Sequence, residues 1–237
     1  MNKAYEQLVR ICKVNFNERQ KALFNEIKMS GRKPLVLKDG TIVLPSDTEH
    51  HIALVAHYDN VPDSYGYNDN GMSIVAILGI LDRLPNNVEV VFTNGEETGF
   101  TGAMEYIRSR GKQVSHCINL DVCGYGDTVY LDKMNSTFAD GVDAVTGNMP
   151  CNDGMVFQEY GIESVCLSTS KGSNFHKGIH DIWQTIHNNT FDNRLDILNF
   201  ELVPKVQNTV EKLIGAINSS SKQTVVSTIH HIGQAGN

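Results

Sequence analysis

Three short apolar runs of this sequence end at, or a few residues before, side chains that bind metals. The runs and the residues that follow them are Ile52–Ala56 with His57, Val88–Phe92 with Glu96 and Glu97, and Cys117–Leu120 with Asp121. Imidazole nitrogens and carboxylate oxygens are the ligands of catalytic zinc sites. One histidine after a strand is more often structural, but three such strand ends in succession indicate a metal centre.

Helical segments separate these runs, so the elements that must position the candidate ligands alternate between strand and helix. Apolar periodicity predicts helices at about 71–84 and 99–110. This alternation predicts an α/β fold, a single doubly wound three-layer domain with a mixed, mainly parallel central sheet. In such folds ligands bind beyond the carboxyl ends of the strands, where the candidate ligands stand.

The flanking segments are predicted to be scaffold. The predicted elements are two helices between 5 and 29, a hairpin at 35–44 around Asp39-Gly40, a helix at 154–160, a strand at 164–167, and a helix over about 192–217 that Pro204 starts or kinks. We expect one catalytic domain over residues 1–218 and a mobile polar tail over 219–237.

Composition excludes several classes of protein. Hydrophobic residues make up 41% of the 237 residues and charged residues 20%, which is typical of globular proteins. The net charge of −7, with no basic cluster, argues against a nucleic-acid partner. Five cysteines without CxxC spacing are expected to be reduced, and no leader or membrane-spanning pattern is visible. These features predict a cytoplasmic protein with no membrane partner.

Several segments together resemble the co-catalytic zinc aminopeptidases (clan MH metallopeptidases), whose relatives include glutamate carboxypeptidases and glutaminyl cyclases. The segments, in family order, are Val55–Pro62, Asn68–Ser73, Val90–Gly99, Asn119–Asp121, Asn152–Phe157 and Ile186–Asp192. The resemblance covers about residues 50–200 and implies a fold of the zinc-exopeptidase (phosphorylase/hydrolase-like) type.

The resemblance also implies a ligand set for two zinc ions per chain. One zinc would be held by His57, Asp69 and Asp121, and the other by Asp69, Glu97 and His187, so that Asp69 bridges both. It further implies a cis peptide bond between Asp69 and Asn70.

Two further residues receive catalytic roles on the same basis. Adjacent side chains of an extended segment point in different directions, so Glu97 can bind metal while Glu96 faces the attacking water as general base. Asp59, two residues after His57, is expected to accept the other N–H of that imidazole and to orient the ring.

Three residues are predicted to line the substrate pocket: Asp153, His176 and His180. The sequence departs from the aminopeptidase pattern nearby, with Gly154 in place of a common histidine and Met149 where secreted relatives carry an oxyanion-stabilising tyrosine. His176 or His180 could supply the missing donor.

The resemblance implies a metal-dependent exopeptidase, most simply an aminopeptidase acting on peptides with a free N-terminus. A glutaminyl cyclase-like transferase is the main alternative, and an inactive metal-binding or peptide-binding relative is another. Carboxypeptidase or dipeptidase activity, the preferred first residue and self-association into a homo-oligomer all stay open at the level of sequence.

Overall fold

The computed structural model describes residues 3–14, 16–149, 151–172 and 192–234. The strands of these residues form one mixed eight-stranded sheet in the order β1-β2-β4-β3-β5-β8-β6-β7. The strands are β1 Leu35–Val36, β2 Ile42–Leu44, β3 His51–His57, β4 Val88–Thr93, β5 Val114–Leu120, β6 Thr128–Asp132, β7 Val145–Thr146 and β8 Glu163–Ser170. The four central strands β4, β3, β5 and β8 are parallel, whereas β2 and β6 run antiparallel to them.

Helices cover both faces of the sheet. They are α1 Lys3–Cys12, α2 Phe16–Met29, α3 Met72–Leu78, α4 Thr101–Arg110, α5 Gly154–Glu159 and α6 Leu202–Gln234. Side chains of α1, α2, α3 and α6 share one apolar cluster with Leu54 and Ala56 of β3. Side chains of α4 and α5 share another with Ala53 and Val55. This alternation along β3 confirms the predicted doubly wound, three-layer α/β domain.

The chain reverses its direction of winding at β3. From β3 the chain passes through α3 to β4 on one side, and from β4 through α4 to β5 on the other side of β3. A crevice forms outside the carboxyl ends of the strands at such a switch point. The residues that follow β3, β4 and β5 therefore meet in one place.

The boundaries of some helices and strands differ from those predicted. The predicted hairpin is confirmed, because β1 and β2 pair antiparallel around Asp39-Gly40. The predicted helix at 71–84 is α3 followed by a separate short turn at Leu81–Arg83. Pro204 lies in the first turn of α6, where no backbone N–H is required.

Helix α6 continues past residue 218 to Gln234, through the segment predicted to be a polar tail. The mobility of that segment and the domain boundary at 218 stay predictions. None of the helices in the described ranges has both the length and the apolar character needed to cross a lipid bilayer.

Helix α4 packs tightly on the loop that carries Glu96 and Glu97. A Cβ added at Gly102 would lie 2.4 Å from the carbonyl oxygen of Asn94 and 2.5 Å from its amide nitrogen. Since these are backbone atoms, they cannot move aside as a flexible side chain would. The absence of a side chain at Gly102 therefore sets how closely α4 approaches this loop.

We expect Gly102→Ala to destabilise the protein by about 1–3 kcal/mol, the usual cost of overpacking a buried site, although alanine is the better helix former. The matched control is Gly215→Ala in α6, where a Cβ would meet no heavy atom within 4 Å. This control should gain up to about 1 kcal/mol from helix propensity. Thermal unfolding measures both changes, and equal stability of the two variants would contradict the packing described here.

Candidate metal centre

Four of the five predicted metal ligands lie within the described residues and converge at the carboxyl ends of the strands. His57 is the last residue of β3, Asp121 follows β5 directly, and Asp69 lies in the turn Tyr67–Gly71 between β3 and α3. Nε2 of His57 is 2.9 Å from Oδ1 of Asp69 and 3.6 Å from Oδ1 of Asp121. His187, the fifth predicted ligand, lies outside the described residues.

Donor atoms of three of these ligands are arranged as a cation would require. His57, Asp69 and Glu97 each place one ligand atom within 4.8 Å of the others. Nε2 of His57 and Oε1 of Glu97 are buried, and neither has a hydrogen-bond partner among the described residues. The short contact between Nε2 and Asp69 therefore lacks hydrogen-bond geometry. Buried polar atoms normally have a partner, so these two unpaired ligand atoms fit a metal ion. Imidazole nitrogen together with carboxylate oxygen is a ligand set that suits zinc.

Asp59 connects the imidazole to the Glu96-Glu97 loop. Its carboxylate accepts the backbone N–H of Glu96 at 3.1 Å and that of Glu97 at 3.2 Å. Nδ1 of His57 is 3.5 Å from Oδ1 of Asp59 and only 3.2 Å from its backbone carbonyl oxygen. The carbonyl is therefore the nearer acceptor for His57, while the carboxylate mainly fixes the loop.

The environment of Asp59 favours its ionised form. Burial by itself would raise the pKa of Asp59, but the neighbouring imidazole of His57, with the two backbone N–H groups, outweighs burial and lowers it. Asp59 therefore remains a carboxylate that can hold the loop.

The asparagines on either side of Asp69 fasten its turn to the segment after β5. Asn70 donates from Nδ2 to the carbonyl of Leu120 at 2.8 Å and accepts the N–H of Val122 at 3.2 Å, so it brackets Asp121. Asn68 accepts the N–H of Gly124 at 2.8 Å. The peptide bond between Asp69 and Asn70 is cis, as expected. The spacing between Asp69 and Asp121 is thus fixed by side-chain amides.

Two buried charged residues that the sequence did not reveal hold the segment leading into this turn. Arg19 of α2 donates to the carbonyls of Tyr65 at 2.7 Å and Gly66 at 3.1 Å. Asp192 accepts the N–H groups of Asn68 and Asp69. Arg19 lies in a polar helix and Asp192 at the end of a motif. Apart from their charge, nothing in the sequence around either residue indicates that it holds this turn.

In the absence of a cation the acidic groups of the site resist ionisation. Burial, followed by the charges of Asp121, Asp153 and Asp69, raises the pKa of Glu96 to about 10, although His57 opposes the change. Burial and the charge of Asp69 raise the pKa of Glu97 to about 8. Carboxylates crowded in this way share protons unless a positive charge is bound among them.

Asp153, a predicted substrate-pocket residue, contacts the end of β4. It is 1% exposed, and Thr93 at the end of β4 donates its hydroxyl to Oδ2. Its Oδ1 is buried without a partner in the described ranges, and burial raises its pKa to about 7. The roles in substrate binding of Asp153, and of His176 and His180, which lie outside the described residues, stay predictions.

A profile of peptidase family M28 matches residues 41–200 of the chain, about two thirds of its length. The chain belongs to peptidase family M28. This membership confirms the resemblance to the co-catalytic zinc exopeptidases, a family of metal-dependent peptidases. It also supports zinc as the metal of the centre, whereas the number of zinc ions per chain stays a prediction.

Several relatives and solved structures resemble the chain, each over a different share of its length. A protein of Candida tropicalis named vacuolar membrane protease is 29% identical over 78% of this chain, which spans 23% of that relative. A zinc aminopeptidase from Bacillus subtilis superposes with a TM-score of 0.59 at 20% identity, covering 73% of this chain and 49% of that one. A glutaminyl cyclase from Porphyromonas gingivalis superposes with a TM-score of 0.66 at 18% identity, covering 90% and 95% of the two chains.

The predicted cytoplasmic location is wrong, because the curated relatives are named vacuolar membrane proteases. Free cysteines and the sequence pattern of the first helix do not determine the compartment of a protein. The prediction of a cytoplasmic location therefore had no sound physical basis.

We expect the stability of the metal-free protein to fall as the pH rises from about 5 to 8. The pKa of Glu97 is about 8 in the folded state against 4.5 for an ordinary glutamate. The folded state therefore binds more protons than the unfolded state in this window, and stability is lost as the pH rises. Thermal unfolding of chelated protein across this range measures the effect, with zinc-loaded protein as the control. A chelated protein that becomes more stable with rising pH would contradict this account of the charges.

Proposed function

We propose that the chain is a zinc-dependent aminopeptidase that binds two zinc ions and removes residues from the N-termini of peptides. The observation that carries the proposal is the convergence of His57, Asp69 and Glu97, two of whose buried ligand atoms have no hydrogen-bond partner in the part of the chain that the structure describes. The preference for N-termini rests on the likeness to solved aminopeptidases.

The ligands would be shared between two zinc ions, with Asp69 bound to both. His57 and Asp121 would hold one ion with Asp69, since Nε2 of His57 lies near a carboxylate oxygen of each aspartate. Glu97 has a ligand atom within 4.8 Å of those of His57 and Asp69, and Glu97 and His187 are proposed to hold the second ion with Asp69. Two zinc ions would also neutralise the charge of the ligand carboxylates, which makes burial of the centre tolerable.

Glu96 is the proposed general base. Zinc, when bound, polarises the scissile carbonyl and lowers the pKa of a water molecule towards ~7. Glu96 takes a proton from the attacking water and delivers it to the leaving amine. Because Asp59 holds the N–H groups of both Glu96 and Glu97, the backbone of the base and that of the ligand are fixed together.

The two glutamates should respond differently to the same isosteric change. We expect Glu96→Gln to keep its zinc content and to lose at least about 10²-fold in kcat, since general acid–base catalysis contributes about 10²–10⁴-fold. Glu97→Gln should instead weaken zinc binding, because an amide is a poorer ligand. Elemental analysis with steady-state kinetics separates the two effects. Loss of zinc from Glu96→Gln with retention in Glu97→Gln would reverse the assignment.

A glutaminyl cyclase is the second candidate, favoured by the superposition that covers nearly the whole of the Porphyromonas gingivalis enzyme. Both reactions use a substrate with a free amino terminus, so the fold alone does not separate them.

Mass detection of the products separates the candidates directly. We expect zinc-replete protein to remove the first residue from short peptides. Neither the released residue nor the remaining peptide should show any further change of mass. A glutamine-initiated peptide that loses only ammonia would establish the cyclase instead. Blocking the amino terminus by acetylation is the control and should abolish aminopeptidase cleavage, whereas release of C-terminal residues from the blocked peptide would indicate a carboxypeptidase.

A further inference from the structure

Asp192 is a buried carboxylate that the proposed mechanism does not use. It is 1% exposed. Oδ1 accepts the N–H of Asn68 at 2.7 Å and that of Asp69 at 3.3 Å, and Oδ2 accepts the hydroxyl of Ser64 at 2.8 Å. All three of these partners are neutral donors. These contacts of the carboxylate are therefore hydrogen bonds to neutral groups.

The two N–H groups that Asp192 accepts belong to the turn that presents Asp69. Asp69 has φ −112° and ψ 86° and Asn70 has φ −131° and ψ 33°, so the turn interrupts helical geometry at this point. Buried N–H groups in such a turn need an acceptor from elsewhere in the molecule. Asp192 supplies that acceptor at Asp69 itself and at the residue before it.

Ser64 extends the same contact to the start of the turn. Its hydroxyl donates to Asp192, and its oxygen accepts the N–H of Gly66 at 2.9 Å. Gly66 has a left-handed φ of 55°, and a Cβ there would lie 2.6 Å from the carbonyl oxygen of Asp69. The backbone from Gly66 to Asp69 is thus tightly folded on itself and is held from one side by Asp192.

The opposite side of the turn is held independently. The side chains of Asn68 and Asn70 bind the backbone of Leu120, Val122 and Gly124 around the other predicted ligand, Asp121. Asp69 therefore lies between two sets of hydrogen bonds, one from the segment after β5 and one from Asp192. Without either set of hydrogen bonds, the carboxylate of Asp69 would be free to move relative to the other proposed metal ligands.

The position of Asp192 in the sequence gives this contact a second consequence. Asp192 follows His187 by five residues, and His187 is proposed to bind the same zinc as Asp69 and Glu97. The hydrogen bonds from the backbone of Asn68 and Asp69 to Asp192 therefore join a residue close in sequence to one proposed ligand to the turn that carries another.

We propose that Asp192 is a positioning residue that orients the bridging ligand Asp69 and thereby sets the affinity of the centre for zinc. This inference rests on the proposed two-zinc function. Residues that orient metal ligands typically change metal affinity by about 10–100-fold when they are removed.

The test compares two substitutions at Asp192 by the dissociation constant of zinc, measured by competition with a chromogenic chelator. Asp192→Ala should bind zinc about 10–100-fold more weakly than the wild type. Asp192→Asn keeps an oxygen that can accept both N–H groups and should stay within about threefold of the wild type, well under the loss expected on removing the contact. An unchanged affinity in Asp192→Ala, or an equal loss in both variants, would overturn the proposal.

Glu89→Gln is the matched control for general destabilisation. Glu89 is also a fully buried carboxylate, but it lies near the amino end of β4, where Arg110 and Tyr106 donate to it. This variant should lower the melting temperature and leave zinc affinity unchanged. If it weakens zinc binding as much as Asp192→Ala does, the effect at Asp192 is one of stability, and the proposal fails.

Ser64→Ala keeps the proposal testable if Asp192→Ala does not fold. It removes one of the three hydrogen bonds to Asp192 and should weaken zinc binding in the same direction, by less than the loss of the whole contact. Unchanged affinity in Ser64→Ala would count against the proposal. The wild type separates this outcome from failure of the proposed function, because a wild-type protein that binds no zinc would refute the function itself.

Discussion

Negative charge buried around one imidazole is the constraint on which the rest of this structure depends. Asp59, Asp69 and Asp121 surround His57 within 4 Å, and all four residues are almost fully buried. Like charges at such distances repel strongly in a medium of low dielectric constant. The arrangement is stable only if protons or cations are bound. The buried ligand atoms of His57 and Glu97 favour a cation, because they have no hydrogen-bond partner within the described ranges. The reversal of winding at β3 brings three strand ends together and so places these side chains next to one another.

Hydrogen bonds from side chains to backbone groups keep these charges in place. Side-chain amides at Asn68 and Asn70 fix the turn of Asp69 to the segment around Asp121. Asp59 fixes the Glu96-Glu97 loop through two backbone N–H groups, and Asp192 fixes the turn of Asp69 in the same manner. The backbone at Asp69, at Glu97 and on either side of Asp121 is therefore held by side chains that need not touch metal. Such prior ordering lets a centre bind its ions without reorganising first.

The sequence predicted the parts of the molecule that depend on local pattern. The apolar runs correctly predicted the central strands, and the turn sequence Asp39-Gly40 correctly predicted the hairpin. Strands β6 and β7 were missed because they are short and lie among polar turns. The long helix α6 was predicted to end earlier, since its later residues have low apolar content. The contacts of Asp192 join residues more than 120 positions apart, and no periodicity in a single sequence indicates such a contact.

Anomalous diffraction at the zinc absorption edge, from crystals grown with zinc, tests the central claim most directly. The account predicts two peaks per chain, separated by roughly 3.5–4 Å as in other two-metal sites. Asp69 should lie between the peaks, His57 and Asp121 should contact one, and Glu97 should contact the other. A single peak, or two peaks that Asp69 does not bridge, would contradict it.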